Sequence, residues 1–118
     1  MKKSILPLFL IFLLSGCAQK YAESDLLGKW NVTKWTIETS GKTVNSKMEM
    51  NFESDGIYSI DYGSKNENGK YWINGEYLHT VAEVKSEMSV RIMNLKSDTL
   101  EIQMNRGGSM ERVILLKK

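Results

Sequence analysis

Short runs of alternating apolar and polar residues recur about every ten to fifteen positions from residue 28 onward, each bounded by Gly, Asn, Asp or Ser. No stretch there keeps apolar residues at the spacing of a helix, and the chain's one proline, Pro7, precedes it. A period of two is typical of strands with one buried face. Tight turns join the eight segments, and parallel strands would need crossovers of a dozen or more residues. The pattern therefore predicts an all-β fold, an antiparallel up-and-down eight-stranded barrel or strongly curved sheet.

Two segments change phase in the middle, near residues 33–34 and near residues 92–93. Such a change predicts a β-bulge, which supplies the bend that barrel closure requires. Asn74 and Gly75 form the strongest hairpin signal, because both tolerate positive φ. Residues 24–27 are expected to form one helical turn that plugs an end of the barrel.

The chain begins with a basic start, Lys2 and Lys3, followed by an uncharged apolar run over residues 5–14. A bilayer-spanning helix needs about 20 apolar residues, so this run suits a secretory signal peptide better than an anchor. The segment that follows, residues 14–17 (LSGC), resembles the lipobox of bacterial lipoproteins. We therefore expect residues 1–16 to be cleaved, residues 17–25 to form a lipidated N-terminus and short tether, and residues 26–118 to form the domain.

Cys17 is the one cysteine of the chain, so it cannot form an internal disulfide. Lipidation would explain why an exported protein carries a single unpaired cysteine. One acyl chain anchors only marginally, whereas the several that the lipobox implies would hold the domain at a membrane. The alternative is an ordinary secretory peptide that leaves a cysteine near its cleavage site. We expect a lipid-anchored protein of the cell envelope, and Ala18, in place of an aspartate, favours the outer membrane.

Removal of residues 1–16 takes away Lys2 and Lys3 and leaves fourteen basic residues against fourteen acidic ones. A neutral domain has no general attraction for phosphate backbones. The charge balance therefore argues against a nucleic-acid partner.

Four segments stand in order along the chain: 27–30 (LGKW), 52–58 with Asp55 and Gly56, 69–75 (GKYWING) with Asn74 and Gly75, and 95–102. Together they resemble the small bacterial lipocalin-like domains that are common as lipoproteins of Bacteroidetes-type bacteria. The resemblance covers residues 26–116 and implies a barrel whose closed end holds Gly28 and Trp30. It also implies an arginine packed on Trp30, with Arg112 as the first candidate and Arg106 as the second. The chain is shorter than a full lipocalin and lacks its long helix, which implies a shallow cup.

Large apolar side chains are abundant after the leader, with three tryptophans, five tyrosines and six methionines. They fill the core of a domain of about 100 residues, or they line an adaptable cavity for a small apolar ligand. If a cavity exists, we expect its ligand near five aromatic residues. These are Trp35, Tyr58, Tyr62, Trp72 and Tyr77.

No pattern of catalytic or metal-ligating residues stands out, so we expect a non-catalytic protein without a metal or cofactor. The one histidine, His79, is expected to be a surface or hydrogen-bonded side chain. Residues 40–43 (SGKT) match only the end of a phosphate-binding loop, because Thr36 stands where that loop needs glycine. The alternative to a ligand carrier is an envelope interaction module that binds a protein through an exposed strand or through the polar loop 63–69.

Overall fold

In the part of the chain that the structure describes, nine strands follow one another in antiparallel order, and eight of them close into a barrel. The computed structural model describes residues 20–83 and 87–118. The predicted leader, its cleavage site and Cys17 lie outside these residues. The strands are β1 (Gly28–Ile37), β2 (Lys42–Thr43), β3 (Glu49–Phe52), β4 (Ile57–Asp61), β5 (Asn66–Asn74), β6 (Tyr77–Ala82), β7 (Glu87–Leu95), β8 (Thr99–Arg106) and β9 (Ser109–Lys117).

Strand β1 closes the barrel by pairing on both edges. Its first half pairs with β3, where Gly28 lies opposite Phe52, and its other edge pairs with β9 along most of its length. The predicted all-β, up-and-down, eight-stranded barrel is therefore confirmed. The additional strand β2 has two residues and pairs with the end of β1. Two residues are too short to show alternation, so the sequence pattern did not indicate this strand.

Both predicted bulges are present. The register between β1 and β9 shifts between Val32 and Lys34, and the register between β7 and β8 shifts between Ile92 and Asn94. At each site the inward face moves by one residue, which explains the change of apolar phase in the sequence. The two bulges lie in β1 and β7, the strands that flank β8 and β9 in the barrel.

One end of the barrel is densely filled and is here called the closed end. Trp30 and Leu26 are fully buried there. A 3₁₀ turn at Glu23–Asp25 precedes Leu26, and the Glu23 carboxylate accepts a hydrogen bond from the backbone N–H of Ile73 at 3.0 Å. The turn thus lies at this end, but it starts one residue before the predicted 24–27 segment, and Ala22 at its N-cap provides no side-chain hydrogen bond.

The cation that packs on Trp30 is Lys117. Its Nζ lies 5.4 Å from the centre of the Trp30 ring, because Lys117 pairs directly with Trp30 across β1 and β9. The expectation for Arg112 is wrong, since position 112 alternates with the buried Val113 and therefore faces outward, where its Nη1 donates to Glu101 at 2.9 Å. The second candidate, Arg106, ends β8 at the opposite end of the barrel.

Two predicted loops differ in detail from the observed ones. The hairpin at Asn74 and Gly75 is present, but Asn74 pairs with Tyr77, so the two turn residues are Gly75 and Glu76. Gly75 has the positive φ of 65° that such a turn needs at its first position. The polar loop predicted over 63–69 is shorter, because β5 already begins at Asn66. Residues 66–69, the second half of the predicted loop, pair with β4 despite their polar composition.

Candidate functional site

The half of the barrel away from Trp30 is hollow. It contains a cavity of about 760 Å³ that is lined by side chains from β1, β3 to β9 and the loop before β5. The end where the cavity lies, here called the open end, carries the turns after β1, β4, β6 and β8. The resemblance implied a shallow cup, and the volume is instead within the range of small-molecule sites.

The wall of the cavity is mainly apolar because one side chain in two along each strand faces inward. Four methionines contribute to it, and they come from three different parts of the barrel: Met48 and Met50 from the β3 region, Met88 from β7 and Met104 from β8. Unbranched thioether side chains adapt their shape to what they contact. The wall can therefore fit apolar molecules of different outlines.

A hydrogen-bonded carboxylate interrupts this apolar wall. Glu67 on β5 accepts a hydrogen bond from the Tyr58 hydroxyl at 2.7 Å and one from the Tyr62 hydroxyl at 3.4 Å. Burial raises the pKa of Tyr58 far above its usual range, and the hydrogen bond to Glu67 raises it further, while the nearby Thr80 side chain opposes this rise in part. Burial and the nearby Glu67 charge raise the pKa of Tyr62 as well. Both phenols are therefore neutral donors across the physiological pH range.

Charged side chains surround the open end. The Lys65 ammonium lies 5.9 Å from the centre of the Tyr62 ring, and the Arg106 guanidinium lies 3.6 Å from the Glu111 carboxylate. Glu111 is almost fully buried, and its Oε1 also accepts a hydrogen bond of 2.8 Å from the indole N–H of Trp35. A buried carboxylate needs such partners to offset its desolvation.

Of the five aromatic residues predicted near a ligand, the structure brings three together. Trp35, Tyr58 and Tyr62 line the cavity. Trp72 and Tyr77 do not, because the inward positions of β5 and β6 belong to their neighbours along the chain. Both lie on the outer surface, with 37% and 46% of their areas exposed.

Sequence reasoning missed Glu67 and Thr80 as cavity residues. Glu67 fell within the predicted polar loop, so its phase could not be assigned. Thr80 lies two positions after the inward Leu78, and this spacing is the signal that could have revealed it.

His79 packs on the outer wall and is hydrogen-bonded, as predicted. Its ring stacks on Trp72 with centres 5.3 Å apart, and its Nδ1 lies 2.7 Å from the Ser89 hydroxyl and 3.1 Å from a Glu87 carboxylate oxygen. Serine and acid thus contact the same ring nitrogen, whereas a catalytic relay places them on opposite nitrogens.

Within residues 20–83 and 87–118, no group of three or more His, Cys, Asp or Glu side chains is arranged to hold a metal ion. In the same ranges, no helix has the length and apolar character needed to cross a bilayer.

Comparisons with known proteins agree with this geometry. A family model described as a lipocalin-like domain matches residues 26–102. A lipocalin-like protein from Bacteroides uniformis has a similar structure, with a TM-score of 0.64, 19% identity, and coverage of 80% of this chain and 99% of that one. An uncharacterized protein from Bacteroides eggerthii is also similar in structure, with a TM-score of 0.63, 12% identity, and coverage of 78% of this chain and 98% of that one. Curated protein sequences give no significant match. The chain belongs to the family of lipocalin-like domains.

Proposed function

We propose that this protein is a non-catalytic binding protein that holds a small apolar ligand inside its barrel. The observation that carries the proposal is the cavity of about 760 Å³ with a mainly apolar wall. Ligand pockets combine such a wall with a few polar groups that fix orientation, and the Tyr58–Glu67–Tyr62 cluster is such a group. The four methionines favour a class of related molecules over a single tightly matched one.

A fluorescent apolar probe tests this proposal. N-phenyl-1-naphthylamine is titrated into the wild-type protein and into Ala82→Phe, whose added ring enters the cavity. The matched control is Val81→Phe, which puts the same ring on the next residue, where alternation directs it outward. We expect the probe to bind the wild type and Val81→Phe alike, and to bind Ala82→Phe at least about tenfold more weakly. Equal binding by all three proteins would place the probe elsewhere and refute the proposal.

We also propose that the domain is anchored to the cell envelope through lipid on Cys17. The lipobox resemblance supports this, and the first described residues indicate how an anchored domain would be oriented. Tyr21 packs against the core, and Glu23 is bonded to β5 at the closed end. Four residues span at most about 14 Å, so an anchor at Cys17 would keep the closed end near the lipid and point the cavity mouth away from it.

Labelling in a bacterial host tests the anchor. Cells that express the full chain are fed an alkyne-tagged fatty acid, and membranes are separated from soluble protein. Wild-type protein should carry the tag and sediment with outer membranes, whereas Cys17→Ser should lose the tag. Untagged wild-type protein would contradict the lipid anchor without affecting the proposed cavity.

A second candidate function is a protein-interaction module. The exposed pair Trp72 and Tyr77 favours it, because large aromatic side chains are common in protein interfaces. Crosslinking in membranes compares Trp72→Ala/Tyr77→Ala with Ala82→Phe. A specific partner lost only in the first variant would support this second function, and no crosslinked product in any variant would argue against it.

A further inference from the structure

The wall of the barrel between β1 and β3 is incomplete. Strand β1 pairs with β3 only from Gly28 to Asn31, although β1 continues to Ile37. The β-bulge that follows Val32 bends β1 at the point where this pairing ends. Residues 42–48, here called the flap, cover the rest of this edge and consist of the two-residue strand β2 and an irregular segment before β3. The flap therefore stands in the place of a full strand at the open end.

Few hydrogen bonds hold the flap to β1. Strand β2 contributes two residue pairs at the end of β1. After β2, the backbone N–H of Val44 donates to the Trp35 carbonyl at 2.8 Å, and the backbone N–H of Val32 donates to the Met48 carbonyl at 3.1 Å. Residues 45–47 form no backbone hydrogen bond within the described chain. Segments with few and exposed hydrogen bonds open at a low cost in free energy, so the flap can move away from β1 while the other strand pairs stay intact.

The side chain of Met48 separates the cavity from a second hollow on the outer surface. This hollow, here called the outer groove, has a volume of about 360 Å³, and Met48 belongs to the lining of both hollows. Met48 is half-buried and packs against the core. Its unbranched thioether side chain adapts its shape easily, so a rotation of Met48 would join the outer groove to the cavity. The outer groove is lined by Asn31, Val32, Lys47, Met48, Glu49, Asp61 and Gly63.

We infer that an apolar ligand enters and leaves the cavity through the side of the barrel, between β1 and the flap, with Met48 as the gate. This inference rests on the proposed function, because it concerns the same cavity. A ligand would otherwise pass through the open end, between the turns. A barrier on the route changes the association and dissociation rates by the same factor and leaves Kd unchanged, so binding kinetics distinguish the two routes.

A disulfide that holds the flap closed tests the route. Thr36 and Thr43 lie directly opposite each other in β1 and β2, and neither lines the cavity. Opposite residues of antiparallel strands have Cα atoms about 4.5–5.5 Å apart, which a disulfide can bridge. Thr36→Cys/Thr43→Cys is made together with Cys17→Ser, so that only the two new thiols can pair. The matched control in the same background is Lys70→Cys/Val81→Cys, which joins β5 to β6 outside the cavity lining.

Stopped-flow fluorescence of N-phenyl-1-naphthylamine measures both rates before and after reduction of the disulfide. We expect the oxidised flap variant to bind and release the probe at least about fivefold more slowly than its reduced form, with Kd within about twofold. The oxidised and reduced forms of the control should have equal rates. Equal rates in the two forms of the flap variant would show that the ligand uses the open end and would overturn the inference. If the wild type does not bind the probe at all, the proposed function itself fails.

Two methionine substitutions give a second measurement that needs no disulfide. Met48→Ala and Met88→Ala each remove a thioether from the cavity lining, but only Met48 also borders the outer groove. Met48→Ala should raise both rates at least about fivefold, because it widens the gate. Met88→Ala should raise only the dissociation rate, because it removes a contact with the ligand and leaves the route unchanged. If the disulfide does not form, this comparison decides, and association in Met48→Ala no faster than in Met88→Ala would overturn the inference.

Discussion

The hydrogen bond between Trp35 and Glu111 gives a stability prediction whose sign can be checked. The indole N–H of Trp35 donates to Glu111 Oε1 at 2.8 Å, and Glu111 is only 7% exposed. Arg106 lies 3.6 Å from the same oxygen, but more than half of its side chain is exposed. Trp35→Phe removes the donor and keeps an aromatic ring at the cavity wall. Glu111→Leu removes the acceptor and keeps a side chain of similar length.

Trp35→Phe leaves the buried Glu111 carboxylate without its best partner, and Glu111→Leu does the same to the half-buried indole N–H of Trp35. A hydrogen bond to a charged group contributes about 1.5–3 kcal/mol, and the partly exposed Arg106 offsets at most about 1 kcal/mol of the loss. We therefore expect each single variant to lose about 2 kcal/mol of the free energy of unfolding. For a domain of this size, that lowers Tm by about 8–16 °C. In the double variant both polar groups are gone, so its loss should be smaller than the sum of the two single losses by about 2 kcal/mol.

Urea unfolding followed by far-UV circular dichroism measures all three variants, because Trp35 itself is a fluorophore and its removal complicates emission. Trp72→Phe is the control, since its ring lies on the outer wall and the change should cost less than about 0.5 kcal/mol. A double variant that loses as much as the two single variants together would show that the two side chains are not coupled. The role assigned to this hydrogen bond would then be wrong.

Three further predictions concern the barrel. Gly69→Ala should lower the free energy of unfolding in urea by about 3 kcal/mol, because the added Cβ would lie 2.1 Å from a backbone oxygen of β6. Gly107→Ala has open space around its Cβ at a φ of +62° and should lower it by only about 1 kcal/mol. Equal losses in the two variants would contradict the steric explanation. Burial raises the pKa of Tyr58 above its unfolded value of about 10, so the unfolded state binds fewer protons above that pH and the free energy of unfolding should fall as pH rises. In Tyr58→Phe the free energy of unfolding should fall less steeply between about pH 9 and 11 than in the wild type. The same slope in both proteins would refute the raised pKa of Tyr58. Lys117→Ala should lower the free energy of unfolding by about 0.5–1 kcal/mol, because it removes the cation over the Trp30 ring. Lys117→Arg keeps a cation there and should retain the wild-type stability, and an equal loss in both variants would contradict this role.

The sequence predicts the barrel well because the information is local. Alternation and turn residues are visible within ten positions, and a change of phase marks a bulge directly, as it does near Lys34 and Ile92. Alternation cannot tell inward from outward side chains where neighbouring residues are all apolar. Residues 71–73 and 77–78 are such runs, so composition alone could not tell that Trp72 and Tyr77 face outward.

Contacts between distant strands were harder to predict. Lys117 meets Trp30 because β9 closes on β1 in one particular register, and that register depends on the bulge between Val32 and Lys34. A shift of one residue would turn the opposite face of β9 toward the core. The resemblance implied the right kind of contact, a cation on the tryptophan of the closed end, but only the strand pairing determines which cation makes it.

The same difference between the two ends explains why the barrel is hollow only on one side. Rings and long aliphatic chains fill the closed end, where Phe52 and Tyr71 meet at 5.0 Å between ring centres. Toward the open end the inward positions of β5 and β6 carry Gly69 and Ala82, which fill little space. Collapse of the walls is opposed by Glu67, because closing the cavity would remove a carboxylate from water. The Tyr58–Glu67–Tyr62 cluster, to which the proposed function gives the role of orienting a ligand, thus also helps to keep the cavity open.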